Sequence, residues 1–342
     1  MNELTRRTVL GAGLGLAALP LRPARADVAK AEAEGEVLFY THDGESAASA
    51  VVAGFNKAYP KIKANYLRAQ NGALFNKILS ERGAGRYSVD VIQFSEIGTA
   101  IDFQKKGGFE QYASPQLAAF DPKYESDPPG FWTWSGVTFA GIAYNTDRVK
   151  PEDAPKTWKD LLDPKWRNAI SVKQATSGMQ FAQWYTLRKE YGDEFWKDFA
   201  KQRPKGFDAR AQLFDRLAKG DDKVCALAEF AGYYLYKQKG APISFVVPPL
   251  GLPVTPTCAG VVSKAPHPEA AKLFMDWLLS PDGQEVTQSN PYLIYPSMRK
   301  DAPPMPGGGH LSDFKVLWPK DMNDYLASQP AFAREWNAML GL

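Results

Sequence analysis

The chain has 342 residues, of which 44% are hydrophobic and 23% charged, with a formal net charge of +3. Residues 1–26 hold four arginines against one glutamate and carry that whole excess, so the rest of the chain is formally neutral. A neutral chain lacks the basic face that binds a phosphate backbone, which excludes nucleic acid as an expected partner. The length is typical of two domains with substantial hydrophobic cores.

The first 26 residues are typical of an export signal. Arg6-Arg7 forms a twin-arginine pattern, residues 9–21 are an apolar run, and Ala24-Arg25-Ala26 has the small-x-small pattern of a cleavage site. The apolar run is roughly five residues or more too short to span a bilayer. We expect a soluble periplasmic protein that begins at Asp27 and is exported by the twin-arginine route. The alternative is the general secretory route, in which Arg6-Arg7 is an ordinary basic segment.

From residue 36 onward, short apolar segments alternate with segments of helical periodicity. The pattern predicts strands at 37–40, 62–67 and 89–94, and helices at 48–59 and 73–82. This βαβαβ order is typical of a mostly parallel sheet that is covered on both faces and binds ligands at the carboxyl ends of its strands.

A second unit of alternating strands and helices is predicted between residues 169 and 247. Before it, the sequence predicts a long buried strand at 137–145 and a helix that has Thr157 as its N-cap and ends at Asp163-Pro164. After it come a strand at 258–263 and a helix at 268–279. We expect the strands near 137–145 and 256–263 to join the two units.

The two cysteines, Cys225 and Cys258, both lie in apolar, strand-like runs. In an oxidising compartment they could form a disulfide, or they could remain two buried thiols. The sequence leaves both alternatives open, because it does not fix the distance between the two Cα atoms. No spacing typical of a zinc site occurs.

Several short motifs occur together along the chain. They are Phe39-Tyr40-Thr41, Asp90-Val91, Ser95-Glu96, Tyr144-Asn145-Thr146, the run from Thr157 to Trp166, Thr176-Ser177-Gly178, Tyr233-Tyr234, Pro266-His267-Pro268 and Ser280-Pro281-Asp282-Gly283-Gln284. In this order they resemble the periplasmic solute-binding proteins of ABC importers, in the group that includes the ferric-ion-binding proteins. The resemblance extends from about residue 36 to about residue 300.

The resemblance implies an α/β fold of the two-lobed periplasmic-binding-protein (type II) class, with a ligand cleft between the lobes. A receptor of this kind closes like a hinge, because the solute contacts both lobes only in the closed state. It implies a signal peptide at 1–26, lobe 1 at 27–140, lobe 2 at 141–257, and a return to lobe 1 with C-terminal helices at 258–342. The implied partners are a small solute and a permease in the inner membrane, with no resident cofactor, and we expect a monomer.

One group of implied ligand-binding residues suits iron. Tyr233 and Tyr234 follow an apolar strand, so we expect them in a loop at its end. In the ferric-binding relatives, a tyrosine pair at this place supplies two phenolate ligands to the iron, and a glutamate that matches Glu96 supplies a further ligand. A trivalent cation would lower the pKa of the phenols enough to deprotonate them. The alternative is that both rings pack against the second lobe. The relatives' histidine is not cleanly matched, since His42 lies about two positions early.

A second group suits an anion. Thr176-Ser177-Gly178 resembles the family's anion-binding turn, where N–H groups at a helix start face a ligand oxygen; a plain helix N-cap is the alternative. Arg210 falls where the relatives place a small polar residue facing the anion, and its guanidinium would bind a carboxylate or phosphate through two hydrogen bonds. The alternative is a solvated arginine on a helix face.

The loop after the first strand would close on the solute from the other lobe, through Thr41, His42 and Asp43. His42 could instead be an ordinary surface histidine. We therefore predict a receptor for a small anionic solute, such as a carboxylate, phosphonate or sugar phosphate, with ferric ion as the alternative ligand.

Two other classes of protein remain as alternatives. A secreted enzyme is not expected, because Ser177 lies outside a G-x-S-x-G motif and the chain has only three histidines. A periplasmic sensor would bind the same solute and pass the signal to a receptor kinase instead of a permease.

Overall fold

The structure, a computed structural model, describes residues 25–291 and 293–341. The predicted export signal lies outside the described residues except for Arg25 and Ala26. The strands are β1 (Glu36–Thr41), β2 (Lys63–Arg68), β3 (Val91–Phe94), β4 (Thr133–Asn145), β5 (Ile170–Lys173), β6 (Lys205–Phe207), β7 (Val224–Glu229), β8 (Ile243–Val246), β9 (Leu252–Val261) and β10 (Val316–Leu317).

The helices alternate with these strands along most of the chain. They are α1 (Val28–Glu34), α2 (Glu45–Ala58), α3 (Asn71–Gly83), α4 (Ile97–Lys105), α5 (Gly178–Tyr191), α6 (Asp193–Ala200), α7 (Arg210–Lys219), α8 (Phe230–Gln238), α9 (Pro268–Leu278), α10 (Pro281–Ser289), α11 (Met322–Ala327) and α12 (Gln329–Leu340). Among the described residues, no helix is both long enough and apolar enough to cross a membrane.

The sheet has two parallel regions joined by long antiparallel strands. Its order is β2-β1-β3-β9-β4-β7-β5-β6. Strand β1 is parallel to β2 and β3, and β5 is parallel to β6 and β7. Strands β4 and β9 pair with each other, while β9 also pairs with β3 and β4 also pairs with β7 and β8. The predicted connection through these two strands is confirmed, and both strands begin earlier than the sequence pattern indicated.

Two large hydrophobic cores lie on either side of the connecting strands. The first is built around β1 to β3 and α9, with Phe39, Phe55 and Phe274 fully buried. The second is built around α5, α6 and α12, where Trp184 and Trp336 are fully buried. Each core is large enough to support one lobe of a two-lobed fold.

The C-terminal segment crosses from the first core to the second. Leu311 belongs to the first core, β10 pairs with β9, and Tyr325 and Phe332 belong to the second core. The sequence-based assignment of 258–342 to a return to lobe 1 therefore differs from the packing of α11 and α12, which contact lobe 2. Their aromatic side chains stack on α5, where Phe181 lies 4.4 Å from Tyr325 between ring centroids.

The predicted helix after Thr157 is a short 3₁₀ helix, Trp158–Leu162. Thr157 is its N-cap, as predicted: the Thr157 hydroxyl accepts a hydrogen bond from the Asp160 N–H, and the Asp160 carboxylate accepts one from the Thr157 N–H. Asp163-Pro164 ends this turn after five residues, which is too short for a stable α-helix.

The two cysteines are free and buried. Strand β4 pairs with both of their strands, at Ala143 opposite Cys225 and at Trp134 opposite Cys258. At about 3.3 Å per residue, these two positions of β4 are ~30 Å apart. A disulfide needs Cα atoms within about 7 Å, so this pair cannot form one in the folded chain.

Candidate ligand-binding site between the lobes

A cavity of about 430 Å³ lies where the loop after β1 faces the start of α7. We call it the Arg210 cavity. Its lining residues are His42, Asp43, Gly44, Glu45, Ser46, Ala47, Thr138, Arg210, Glu229, Leu293 and Tyr295. Because these residues come from both lobes and from the connecting strand β4, a solute bound here contacts the two lobes together.

Arg210 brings positive charge to this cavity from lobe 2. It is the first residue of α7, its side chain is 33% exposed, and its Nη1 atom lies 3.5 Å from Oε2 of Glu229. Glu229 is the last residue of β7. It therefore lies at the carboxyl end of the strand, which is where parallel sheets bind ligands. The guanidinium is planar and presents donors in a fork that matches carboxylate and phosphate oxygens.

The start of helix α2 faces the same cavity from lobe 1. Gly44 is its N-cap, with extended backbone and no side-chain cap, and an added Cβ atom at Gly44 would have no neighbour within 4 Å. The backbone of the first turn is therefore open toward the cavity. The N–H groups of a first helical turn and the positive end of the helix dipole favour an anion at this place.

His42 and Asp43 form a buried polar group with Tyr295. The Tyr295 hydroxyl donates a 2.7 Å hydrogen bond to Oδ1 of Asp43, and Nε2 of His42 lies 3.6 Å from the same oxygen. Burial lowers the pKa of His42; the Asp43 carboxylate opposes this and the Arg68 guanidinium adds to it. Nε2 of His42 is buried and has no hydrogen-bond partner among the described residues.

Tyr295 remains a hydrogen-bond donor over the physiological pH range. Its complete burial, followed by the charge of Asp43, raises the pKa of its phenol well above the ordinary value. The phenol therefore keeps its proton and holds the Asp43 carboxylate in place. The sequence pattern gave no indication of this residue, because the segment after α10 has no regular periodicity.

Thr41 holds the loop after β1 in position through hydrogen bonds and does not line the Arg210 cavity. It is fully buried, its hydroxyl donates to Oε1 of Gln93 at 2.7 Å, and it accepts from the Asp43 N–H at 3.1 Å. Gln93 in turn donates to Ser135 on β4 and to Thr257 on β9. This buried network connects the loop that carries His42 and Asp43 to both connecting strands.

Glu96 and Gly178 border a different cavity, of about 300 Å³, which we call the Glu96 cavity. Glu96 precedes α4 in lobe 1 and Gly178 begins α5 in lobe 2. Thr138 on β4 and Thr255 on β9 lie directly opposite each other in the sheet. Thr138 lines the Arg210 cavity, and Thr255 lines the Glu96 cavity. Both cavities therefore lie beside the connecting strands.

The predicted turn before α5 has local structural partners. The Ser177 hydroxyl caps α5 by accepting a 3.3 Å hydrogen bond from the Gln180 N–H, which is the plain N-cap alternative. The Thr176 hydroxyl donates to Oδ1 of Asp208 at 2.8 Å. Neither residue lines the two cavities, whereas Gly178 lines the Glu96 cavity.

Tyr233 and Tyr234 lie inside helix α8, and the prediction that they occupy a loop is wrong. Strand β7 passes directly into α8 at Phe230. The Tyr233 ring packs 5.2 Å from Phe245, and the Tyr234 ring stacks 6.4 Å from Phe230, between centroids. Burial, followed by the charge of Tyr144, raises the pKa of Tyr233, so its phenol is protonated in this arrangement. Neither tyrosine lines either cavity.

The proposed iron ligands therefore do not meet in this structure. Glu96 lines the Glu96 cavity, whereas the tyrosine pair packs on neighbouring aromatic rings and lines neither cavity. Within residues 25–291 and 293–341, no group of three or more histidine, cysteine, aspartate or glutamate side chains is close enough to hold a metal ion.

Residues 89–320 match the family described as bacterial extracellular solute-binding proteins. The match covers more than half of the chain, so the chain belongs to this family. The two lobes, the connecting strands and the cavity between them are those of a periplasmic solute-binding protein of ABC transporters. The predicted fold class, the predicted periplasmic location and the transport function are confirmed at this level. Proteins of this family deliver their ligands to ABC permeases.

Known relatives are similar over most of their length. Iron uptake protein A1 of Synechocystis sp. is 26% identical over 256 residues, which is 68% of each chain. The periplasmic binding protein AfuA from Actinobacillus pleuropneumoniae, with fructose-6-phosphate bound, has a TM-score of 0.73 at 23% identity and covers 90% of this chain and 99% of its own. Iron-bound HitA from Pseudomonas aeruginosa has a TM-score of 0.75 at 21% identity, with the same coverage.

Proposed function

We propose that the protein is a receptor for a small anionic organic solute, which it binds in the Arg210 cavity and delivers to an ABC permease. The observation that carries this proposal is that Arg210 from lobe 2 and the uncapped start of α2 from lobe 1 border one cavity. Both groups favour negative charge, and they lie on opposite lobes.

The carboxylates that line the cavity already have hydrogen-bond or ion-pair partners in the protein. They indicate which groups the solute carries beside its anionic group. Asp43 accepts from Tyr295, Glu45 accepts from the Tyr66 hydroxyl at 2.8 Å, and Glu229 pairs with Arg210. Their remaining lone pairs accept hydrogen bonds. A solute that carries hydroxyl groups beside its anionic group would use both features, and a volume of about 430 Å³ is in the range of small-molecule sites.

Binding would close the lobes because only the closed arrangement lets the solute contact Arg210 and the start of α2 together. A ligand shifts a conformational equilibrium only by its difference in affinity for the two states. The changed surface of the closed form would then dock on the permease, with no bond made or broken in the solute.

Calorimetric titration of the mature protein tests the proposal, with fructose 6-phosphate and citrate as anionic probes and ferric ion as the competing one. Replacing Arg210 by alanine should weaken the binding of the anion at least about tenfold, since a charge-assisted hydrogen bond contributes about 1.5–3 kcal/mol. Arg334→Ala is the matched control, because Arg334 is an exposed arginine on α12 outside the cavity. Equal losses in the two variants would contradict the proposal.

Ferric ion is the second candidate solute, because an iron uptake protein is among the relatives of this chain. If iron is the cargo, the protein should bind it with a visible phenolate-to-iron absorption band. Tyr234→Phe should remove that band, whereas Arg210→Ala should leave it. Iron binding of this kind would require the two tyrosine rings to change their present packing on Phe230 and Phe245.

A further inference from the structure

The lining of the Glu96 cavity differs from that of the Arg210 cavity in its charged groups and in its aromatic content. Among the described residues that line it, two carry carboxyl groups, Glu96 and Asp102, and none is basic. Four aromatic rings complete the wall: Phe75 from lobe 1, Phe181 from lobe 2, and Trp318 and Tyr325 from the C-terminal segment. The cavity is therefore acidic and aromatic.

The Glu96 carboxylate makes no cap hydrogen bond to α4, and no hydrogen bond within the described residues offsets the effect of burial on its pKa. Burial raises the pKa of Glu96, which means that its charged form is poorly compensated. The start of α5 lies close to this carboxylate, since a Cβ atom added at Gly178 would lie 3.8 Å from Oε1 of Glu96.

Tyr325 adds a second polar group to the wall of the Glu96 cavity. It is only 8% exposed, it lines the cavity, and no described residue forms a hydrogen bond with its hydroxyl. Its hydroxyl is therefore free to donate a hydrogen bond to a solute that enters the cavity. Burial, together with the charge of Glu96, raises the pKa of this phenol, so it is neutral.

Packing around the cavity holds the aromatic rings in place. Tyr325 stacks on Phe181 at 4.4 Å, Trp318 packs against Trp134 at 4.5 Å, and Phe75 packs against Phe94 at 6.0 Å, all between ring centroids. Fixed aromatic faces attract a cation through their electron density, and the attraction increases when the cation is desolvated.

We propose that the Glu96 cavity is a second binding site, which takes a small organic cation with an ammonium or quaternary ammonium group. The Glu96 carboxylate would neutralise the charge of the cation, and the rings of Phe75, Phe181, Trp318 and Tyr325 would surround its alkyl groups. Its lining shares no residue with that of the Arg210 cavity, and the two cavities border paired residues of β4 and β9, Thr138 and Thr255. A volume of about 300 Å³ suits a compact cation.

The test is calorimetric titration of the mature protein with choline chloride, with sodium chloride at the same ionic strength as the blank. Choline should bind, and Glu96→Gln should weaken it at least about tenfold, because the substitution removes the charge and keeps the shape. Arg210→Ala is the control for the other cavity and should leave choline binding unchanged. Tyr325→Phe should weaken it less than Glu96→Gln, because it keeps the ring.

The pH dependence separates a charge contact from simple packing. Choline does not titrate, so a loss of affinity as the pH falls must come from the protein. Its affinity should fall as Glu96 is protonated; Asp102 and Tyr325 are the other titratable groups that line the cavity, and Tyr325 stays neutral throughout. In Glu96→Gln the affinity should change little with pH.

Three outcomes would overturn this second site. The first is that choline gives no heat beyond that of sodium chloride. The second is that the wild type and a Glu96→Gln variant that unfolds at the same temperature bind choline with equal affinity. The third is that this variant loses ferric-ion binding while no choline binding is found. None of these outcomes depends on anion binding in the Arg210 cavity, so this proposal and the proposed function fail separately.

Discussion

At the scale of single residues, Asp222 is a buried carboxylate of lobe 2 that is paired with two cationic side chains. It is fully buried and accepts hydrogen bonds from Nε of Arg216 at 2.6 Å and Nζ of Lys205 at 2.7 Å. Burial alone would raise the pKa of Asp222, but the hydrogen bonds from Arg216 and Lys205 outweigh it and lower the pKa.

Asp222→Asn should lower the free energy of unfolding by about 2–4 kcal/mol, because it leaves two cations without their buried partner. Since the folded pKa lies below the unfolded value, the stabilisation is present above the unfolded pKa of about 3.9 and is lost as the pH falls through the folded value. Urea unfolding at several pH values measures both effects. Asp221→Asn is the control, because Asp221 is half exposed and lies 3.8 Å from Arg216; an equal loss there would contradict the prediction.

The cysteines give a second prediction at this scale. Burial raises the pKa of Cys225 to about 12 and raises that of Cys258 as well, so neither forms a reactive thiolate near neutral pH. The native protein should show no thiol that reacts with a colorimetric reagent, and the unreduced, denatured protein should show two. Absence of free thiols after denaturation would mean that the strand separation along β4 is wrong.

Some residues of the candidate site could be predicted from the sequence, and others could not. His42, Asp43 and Arg210 follow or precede recognisable elements, and the structure brings these three to one cavity. Tyr233 and Tyr234 were misassigned because no glycine or proline breaks the chain between β7 and α8, and the helical periodicity there is weak. Tyr295 reaches the site only through long-range packing, so no local pattern could have indicated it.

At the scale of elements, helix α8 is held against α7 through a glycine. A Cβ atom added at Gly232 would lie 2.2 Å from Cε2 of Phe214, a fully buried ring. Gly232→Ala should therefore lower the free energy of unfolding by about 1–3 kcal/mol through overpacking. Chemical denaturation measures it.

Gly72 is the matched control in helix α3. An added Cβ atom there would have no neighbour within 4 Å, so Gly72→Ala should be neutral or stabilise the protein by up to about 1 kcal/mol through its higher helix propensity. Similar effects of the two substitutions would mean that α7 and α8 do not pack as the structure describes.

Most strands and helices were predictable because their local periodicity agrees with their burial. Strands β1, β3 and β8 are short apolar runs, and α9 begins with a proline in its first turn. The early part of β4 was missed because residues 133–136 are buried on all sides and have no alternating pattern. The C-terminal helices were assigned to lobe 1 but pack on lobe 2, because their aromatic faces fit either core until the path of β10 is known.

At the scale of the whole molecule, three chain segments cross between the lobes: β4, β9 and the C-terminal segment that contains β10. The Arg210 cavity lies beside β4, and its charged groups come from opposite sides. A hinge at the connecting strands changes the distance between Arg210 and the start of α2 without disturbing either core. We therefore expect solute binding and lobe closure to depend on the same arginine.

Small-angle X-ray scattering tests this central claim most directly, with and without a saturating amount of whichever anionic probe, fructose 6-phosphate or citrate, binds in the calorimetric titration. The wild-type protein should become more compact when the anion is added, and Arg334→Ala should do the same. Arg210→Ala should keep the larger radius of gyration at the same anion concentration. Compaction of Arg210→Ala to the same extent as the wild type would contradict the claim that this arginine holds the solute between the lobes.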